Sequence, residues 1–233
     1  MSGNRLSIII PVLNEEAGIT AALQALAPLR DRGAEVIVVD GSSADRTAAL
    51  AEPVCDRLIV APHGRAAQMN AGAGAAQGDV LLFLHADTQL PADADHLIID
   101  GLAQERRAWG RFDVRIAGRH PLFPLIAALM NLRSRLTGIA TGDQAIFVGK
   151  NAFAAVGGYP EIALMEDLVL SRRLKRLSRP LCVAARALTS GRRWEKHGVV
   201  RTILTMWRLR LAFFFGAAPE RLAARYGYAP RQR

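Results

Sequence analysis

Cysteine is scarce in this chain of 233 residues: only Cys55 and Cys182 occur, far apart and outside any Cys-x-x-Cys or histidine-rich setting. Neither a zinc site nor a disulfide framework is encoded, and two small buried thiols in a reducing compartment account for both. Aromatic residues are few as well, at 6%. Because the basic residues are scattered and no aromatic-interleaved patch accompanies them, nucleic acid is not an expected partner. Long apolar runs are missing too. The longest apolar window, Val199 to Ala218, carries Arg201, Arg208 and Arg210, and a central arginine costs ~2.5 kcal/mol or more in a membrane span. The opening MSGNRLSIIIPVLNEE has no signal-peptide h-region, since its apolar run is short and stops at Pro11. The expectation is a cytoplasmic protein. Acidic residues are outnumbered, 21 against 30 Lys+Arg, and the net charge of +9 favours polyanions, nucleotide phosphates or anionic lipid without choosing among them.

What the chain does have is apolar material, at 51%, enough for a sizeable core in one domain. Leu6 to Ile10 and Val36 to Val39 are β-branched runs without alternation, the pattern of strands buried on both faces of a parallel sheet. Helical spacing joins them over Glu15 to Leu29. A helix at Asp45 to Ala51, a strand at Leu58 to Val60, a small-residue helix at Arg65 to Ala76 and a strand at Val80 to Leu84 follow. This alternation predicts a doubly wound α/β sheet, whose ligands sit outside the carboxyl ends of the strands. Beyond Asp87 the pattern is mixed: a helix at Ala92 to Arg106, a strand at Arg111 to Ile116, an apolar helix at Leu122 to Leu136, a strand at Ala145 to Val148, a helix at Glu166 to Leu177, a strand at Leu181 to Ala185, and one long helix at Glu195 to Phe215. An Arg-rich tail, Arg231-Gln232-Arg233, ends the chain.

Three of the four buried strands end in polar residues: Asn14 and Glu15 after the first, Asp40 at the second, His85 and Asp87 after the fourth. Each alone has an ordinary explanation as a helix cap or turn residue. Gathered at one sheet edge, the three acids would repel one another unless a cation or hydrogen-bond donors joined them, as a nucleotide with a divalent metal would. Gly72-Ala73-Gly74-Ala75-Ala76-Gln77-Gly78 has a dinucleotide-like look, but its third glycine is one position late and it precedes a strand instead of following one. A dehydrogenase or nucleotidyl-transferring enzyme of Rossmann type is therefore the rival class, and not the preferred one.

The stretches Ser7 to Glu16, Val38 to Thr47, Gln68-Met69-Asn70-Ala71-Gly72 and Leu84-His85-Ala86-Asp87, followed by Gly142-Asp143-Gln144, Val156-Gly157-Gly158-Tyr159 and Glu166-Asp167, resemble family 2 glycosyltransferases in order and spacing over roughly residues 5 to 195. The chain is also similar to a small bacterial subgroup of radical-SAM/selenodomain-associated, arsenosugar-related transferases. The resemblance implies a GT-A fold: one domain over 1–233 with a mostly parallel, mixed sheet, a nucleotide-binding half at 5–90, an acceptor and catalytic half at 91–195, and a C-terminal helical extension at 196–233. It implies an inverting transfer from a nucleotide-diphosphate sugar, UDP-linked by preference, to a hydroxyl acceptor that is a small molecule or lipid-linked.

By that resemblance Asp40 contacts the nucleoside, Pro11, Asn14 and Glu15 shape its pocket, and Asp87 is the last aspartate of the metal-binding DxD, holding Mg²⁺ or Mn²⁺ against the diphosphate. His85 replaces the first aspartate, with Ala86 between. Asn70 completes the donor set. Met69 stands where the family has arginine, and Arg65, one turn earlier on the same helix face, supplies the missing cation or is simply solvated. Asp167 is the implied catalytic base and Glu166 a supporting acceptor or cap, since adjacent acids at a helix start are also ordinary dipole-stabilising caps. Asp143 and Gln144 fall on the acceptor side. Ser190-Gly191-Arg192-Arg193-Trp194 resembles the QxxRW motif without its glutamine, so Arg193 and Trp194 are the expected clamp on diphosphate and sugar. On the terminal helix, Arg201, Thr205, Arg208 and Ala212 form a narrow stripe beside a wide apolar face. Two readings stand: packing on the domain with the stripe in water, or shallow docking on anionic membrane, a peripheral location that Arg210 within the apolar face favours.

Overall fold

The computed structural model describes residues 5–227, so the Arg231–Arg233 tail lies outside the described residues. Its first half runs β1 (Leu6–Val12), α1 (Ile19–Gln24), α2 (Ala27–Asp31), β2 (Glu35–Asp40), α3 (Thr47–Ala51), β3 (Arg57–Val60), α4 (Arg65–Ala75), β4 (Val80–Phe83), β5 (Thr88–Gln89) and α5 (Ala94–Gln104). The second half runs β6 (Trp109–Ala117), α6 (Phe123–Thr137), β7 (Phe147–Gly149), α7 (Lys150–Ala155), α8 (Glu166–Leu174), β8 (Leu181–Ser190), α9 (Arg192–His197), α10 (Val199–Phe214) and α11 (Pro219–Tyr226). All eight strands join one sheet in the order β3-β2-β1-β4-β7-β6-β8-β5. The first four pair in parallel, β7 runs antiparallel to β4 and β6, and β6 is parallel to β8. This is the mixed α/β sheet that the element order predicts.

Burial on both faces explains the unalternating strands. Leu6, Ile8, Ile10 and Val12 of β1, with Val36 and Val38 of β2, pack into one core layer, while Ile9, Ile37 and Val39 pack into the other with Met69 and Ala73 of α4. A fully buried side chain of this size contributes roughly 1.5–3 kcal/mol relative to exposure. Gly72 serves that packing: a Cβ there would stand 2.4 Å from Ile9 Cγ2, so the glycine-rich stretch lets α4 lie on the sheet and is no dinucleotide loop.

Two expected helices are each broken in two. Pro28 sits in the first turn of α2, where its missing N–H does no harm but would interrupt a helix continuing from α1. Gly198, at φ 80°, separates α9 from α10. Strand β8 extends five residues beyond its expected end, because its second half pairs with Asp113 to Ala117 of β6 after a register shift. Short β5, α7 and α11 are elements the sequence reading does not include. Helix α10 packs through Val199, Thr202 and Leu209, while Leu204, Trp207, Leu211 and Phe214 of the wide apolar face, and Phe215 just past its end, are exposed together with Arg201 and Arg208 of the narrow stripe. The extension closes on the domain where Leu209 and Leu222 meet Leu164 and Met165, directly ahead of Glu166.

Candidate active site

At the carboxyl ends of β1 and β2 the two loops fasten to each other. Asn14, in left-handed backbone at φ 53°, accepts from Ala44 N through its side chain, while its own N–H donates to Ser43 Oγ. Ser43 in turn donates from N and Oγ to the buried Asp40 carboxylate. Glu15 N donates to Thr47 Oγ1 at 2.8 Å. Pro11 lies half-buried inside β1, paired in register with Val39. Gln68 of α4 ties the ends together from below, its Nε2 donating to Val12 O and Val39 O at 2.8 Å each.

The end of β4 meets the end of β8. Strand β5 pairs with Leu188 and Thr189, and Ser190 N donates to Asp87 O at 3.2 Å, so α9 begins beside Asp87. Its first residue, Arg192, places Nη2 3.9 Å from Glu15 Oε2 and 4.0 Å from Asp87 Oδ2. Here is the cation that the gathered acids require. Burial raises the Glu15 pKa, Arg192 opposes the rise, and Asp87 adds to it. Sequence reasoning had favoured Arg193 and Trp194 of the same motif, which the structure does not bring to this edge: Arg193 lies 3.6 Å over the Tyr226 ring and donates to Tyr226 O, and Trp194 packs against the cluster of Val114, Phe123 and Val199. A helix turns successive side chains about 100° apart, so only one of three neighbours can face the site.

Among the described residues no group of three or more His, Cys, Asp or Glu side chains stands close enough to hold a metal by itself. Asp87, with its side chain 34% exposed, offers one carboxylate with hard oxygen donors. Such a donor would suit Mg²⁺ or Mn²⁺, which would need further oxygen ligands from outside the protein. Half-buried Ala86 contributes no ligating group. His85 is turned the other way, its Nδ1 3.5 Å from Oδ1 of the half-exposed Asp143.

The carboxylate pair at the start of α8 forms the second half of the site. Met165, at φ 73°, takes a strained left-handed turn of the kind that collects at functional positions and leads into Glu166 and Asp167, both buried. Gly142 N donates to Asp167 Oδ2 at 2.7 Å. A side chain there would displace its neighbours, since a Cβ on Gly142 would stand 2.2 Å from His85 Nε2 and 3.1 Å from Asp167 Oδ2. Arg65 Nη1 lies 3.8 Å from Glu166 Oε1, so this arginine faces the pair. Three buried polar atoms around it have no hydrogen-bond partner: Asp167 Oδ1, His85 Nε2 and Tyr159 Oη. Each such atom costs ~1–3 kcal/mol unless a ligand or water meets it.

Burial, with the charge of Asp167 added, pushes Glu166 up to about 7 against the opposing pull of Arg65. Burial raises Asp167 too, against His85, Arg65 and the Gly142 N–H. The Tyr159 hydroxyl is held well above its ordinary pKa by burial and then by both carboxylates. For Asp143 burial acts upward, but the hydrogen bond and charge of His85, with Arg65 and Arg210, bring the net shift down.

Two expected contacts are corrected. Asn70 uses both ends of its amide on the Tyr159 backbone, at 2.9 Å each, so it fixes the ring instead of facing a nucleotide. Gln144 is fully buried and accepts from Thr141 N at 3.3 Å, so it shapes the loop carrying Gly142 and Asp143 and leaves only Asp143 toward the site. Sequence reasoning missed Arg192, Gly142 and Tyr159 as site residues. All three lie inside motifs quoted from the sequence, Arg192 next to the expected Arg193, Gly142 next to Asp143, and Tyr159 at the end of Val156-Gly157-Gly158-Tyr159.

Comparison with known proteins bears on the family and the fold. The model of the family described as "Glycosyl transferase family 2" matches residues 7–156. Undecaprenyl-phosphate 4-deoxy-4-formamido-L-arabinose transferase of Pseudomonas paraeruginosa is 30% identical over 151 residues, covering 59% of this chain and 44% of the relative. The chain thus spans less than half the length of that protein. Among solved structures, S. aureus TarS in complex with UDP superposes with a TM-score of 0.65 at 18% identity, over 80% of this chain and 60% of that one. Glucosyl-3-phosphoglycerate synthase from Mycobacterium tuberculosis, in complex with Mg²⁺ and UDP, gives 0.59 at 20% identity, over 81% and 71%. These likenesses establish the fold alone, whereas the family match over residues 7–156 takes in the strand ends that carry Asn14, Glu15, Asp40 and Asp87. The chain belongs to glycosyl transferase family 2.

Proposed function

We propose that the protein transfers a sugar from a nucleotide-diphosphate donor, UDP-linked, to a hydroxyl acceptor by a single inverting displacement. One observation carries the catalytic part: Asp167 has one carboxylate oxygen held by Gly142 N–H and the other buried without a partner. A sugar or other hydroxyl donating to that free oxygen would be oriented and deprotonated there. Glu166, raised to about 7, keeps a proton near neutrality and spares the site a second buried charge. On the donor side Asp40, Asn14 and Glu15 line the nucleoside end, and Arg192 meets the charge that develops on the departing diphosphate. Asp87 would hold Mg²⁺ or Mn²⁺, which would neutralise the diphosphate. The relative from P. paraeruginosa and the UDP-bound structures named above support a nucleotide-sugar reading by kinship. The likeness to the radical-SAM-associated subgroup rests on sequence motifs and carries no part of it.

A peripheral membrane location belongs to the same reading. No helix among the described residues is long and apolar enough to cross a membrane. Leu204, Trp207, Leu211 and Phe214 of α10, with Phe215 just past it, nevertheless lie exposed, as do Leu125, Leu129, Leu132 and Leu136 of α6, and the two helices meet through Phe123, Ile126 and Val199. Two adjoining apolar stripes on a chain of charge +9 suit shallow burial in an anionic interface. The donor assignment is tested by a thermal-shift screen of UDP-, GDP- and dTDP-sugars with and without Mn²⁺. A UDP-sugar should stabilise the protein most, and no shift with any nucleotide sugar overturns the reading.

A further inference from the structure

Arg133 of α6 has Nε and Nη2 completely buried and without a hydrogen-bond partner. It forms no ion pair with any described residue, and the nearest charges that act on it include two further arginines, Arg210 of α10 and Arg111 of β6. Arg111 is answered, being paired with Asp113, which also takes Arg135. Among the described residues neither Arg133 nor Arg210 has an ion pair: the field of Asp143 reaches both, but Asp143 already faces His85. Burial lowers the Arg133 pKa to about 10, with both neighbouring cations adding to the fall. A guanidinium with two buried nitrogens unpartnered, in the field of a second arginine and of one shared carboxylate, is unfavourable in a protein interior unless an anion completes it.

We propose that Arg133 and Arg210 form an anion-binding subsite beside the carboxylate pair, and that it takes a phosphate group carried by the acceptor. This deepens, and rests on, the transferase reading above. Guanidinium groups suit the task because their planar donors match phosphate oxygens in pairs. The place suits it as well. The field of Arg210 reaches Asp143 and Asp167, so a phosphate held there lies close to the free oxygen that would receive the acceptor's proton. Arg133 belongs to α6 and Arg210 to α10, elements other than the α9 that carries Arg192.

Inorganic phosphate and phosphatidic acid are the probes. Melting temperatures are measured with UDP and Mg²⁺ present, in phosphate against chloride at equal ionic strength, and sedimentation is measured with phosphatidylcholine vesicles with and without phosphatidic acid. For wild type, phosphate should raise the melting temperature above its chloride value. Arg133→Met and Arg210→Met should melt no lower than wild type in chloride and lose the phosphate-induced rise, while Arg192→Ala keeps it. Arg133→Lys, which retains charge without the fork, provides the reading should a methionine variant not fold, and should lose most of the rise. A rise that depends on Arg133 identifies a soluble phosphorylated acceptor; vesicle binding that depends on Arg133 and phosphatidic acid, without such a rise, identifies a phospholipid. Equal responses of wild type and both arginine variants to both probes overturn the subsite. The shift produced by UDP itself, read in the same samples, reports on the donor assignment separately.

Discussion

The Gly142 N–H holds Oδ2 of Asp167 at 2.7 Å, and the other oxygen of that carboxylate is buried without a partner. A carboxylate fixed at one oxygen and vacant at the other has its geometry set before a substrate arrives. The absence of a side chain at residue 142 makes this possible, since His85 occupies the space where a Cβ would go. Gly142→Ala should therefore lower stability by ~1–3 kcal/mol through overpacking and disturb His85 and Asp167 together. Unfolding in urea and the donor-binding isotherm measure the two effects.

Glu166 links the site to pH. Its native pKa near 7 exceeds the ordinary glutamate value, so the folded protein keeps a proton that the unfolded chain releases. The stability this contributes is complete below the unfolded value and is lost as pH rises through about 7. Glu166→Gln cannot ionise, so its stability relative to wild type should rise by roughly 2 kcal/mol between pH 5.5 and 8. Chemical denaturation at the two pH values reads this difference, and a constant one contradicts the shift.

Arg192 and Arg193 should separate cleanly. Arg192→Ala removes the cation between Glu15 and Asp87 and should weaken UDP binding by ~10-fold or more, charge-assisted contacts being worth roughly 1.5–3 kcal/mol. Arg193→Ala loses the stacking on Tyr226 and should lower the melting temperature with donor affinity unchanged. Calorimetry and melting curves on both variants decide.

Asp87→Ala should abolish the part of UDP affinity that depends on Mn²⁺ and leave the metal-independent part. Titration of UDP with and without Mn²⁺ checks this, and unchanged metal dependence removes Asp87 from the role.

On the membrane side, Trp207 and Phe215 are 73% and 76% exposed. Wild type should sediment with anionic vesicles at low salt and be released by added salt. Trp207→Ser with Phe215→Ser should sharply reduce the sedimented fraction without changing the melting temperature.

The first half of the fold was legible because its strands are buried on both faces, which leaves continuous apolar runs, and because Pro and Gly mark the joints. The second half was less so. The register shift between Phe112 and Asp113 and the outward turn of α10 depend on partners distant in sequence. The same division holds at the site. Acids at strand ends announce themselves, whereas Arg192 stands beside the two expected residues, Arg193 and Trp194, and the pairing of β5 with β8 is what brings it to the edge. Asn70 and Gln144 look like ligand contacts in sequence, yet their amides satisfy backbone groups, a demand visible only once the chain is folded.

The most direct measurement compares Asp167→Asn with wild type for both UDP binding and sugar transfer. Asparagine keeps the shape and can still accept from Gly142 N–H, but it cannot take up the acceptor's proton. The account predicts UDP affinity within about twofold of wild type and transfer lowered by ~10²-fold or more. Near-normal transfer by a folded Asp167→Asn enzyme would contradict it.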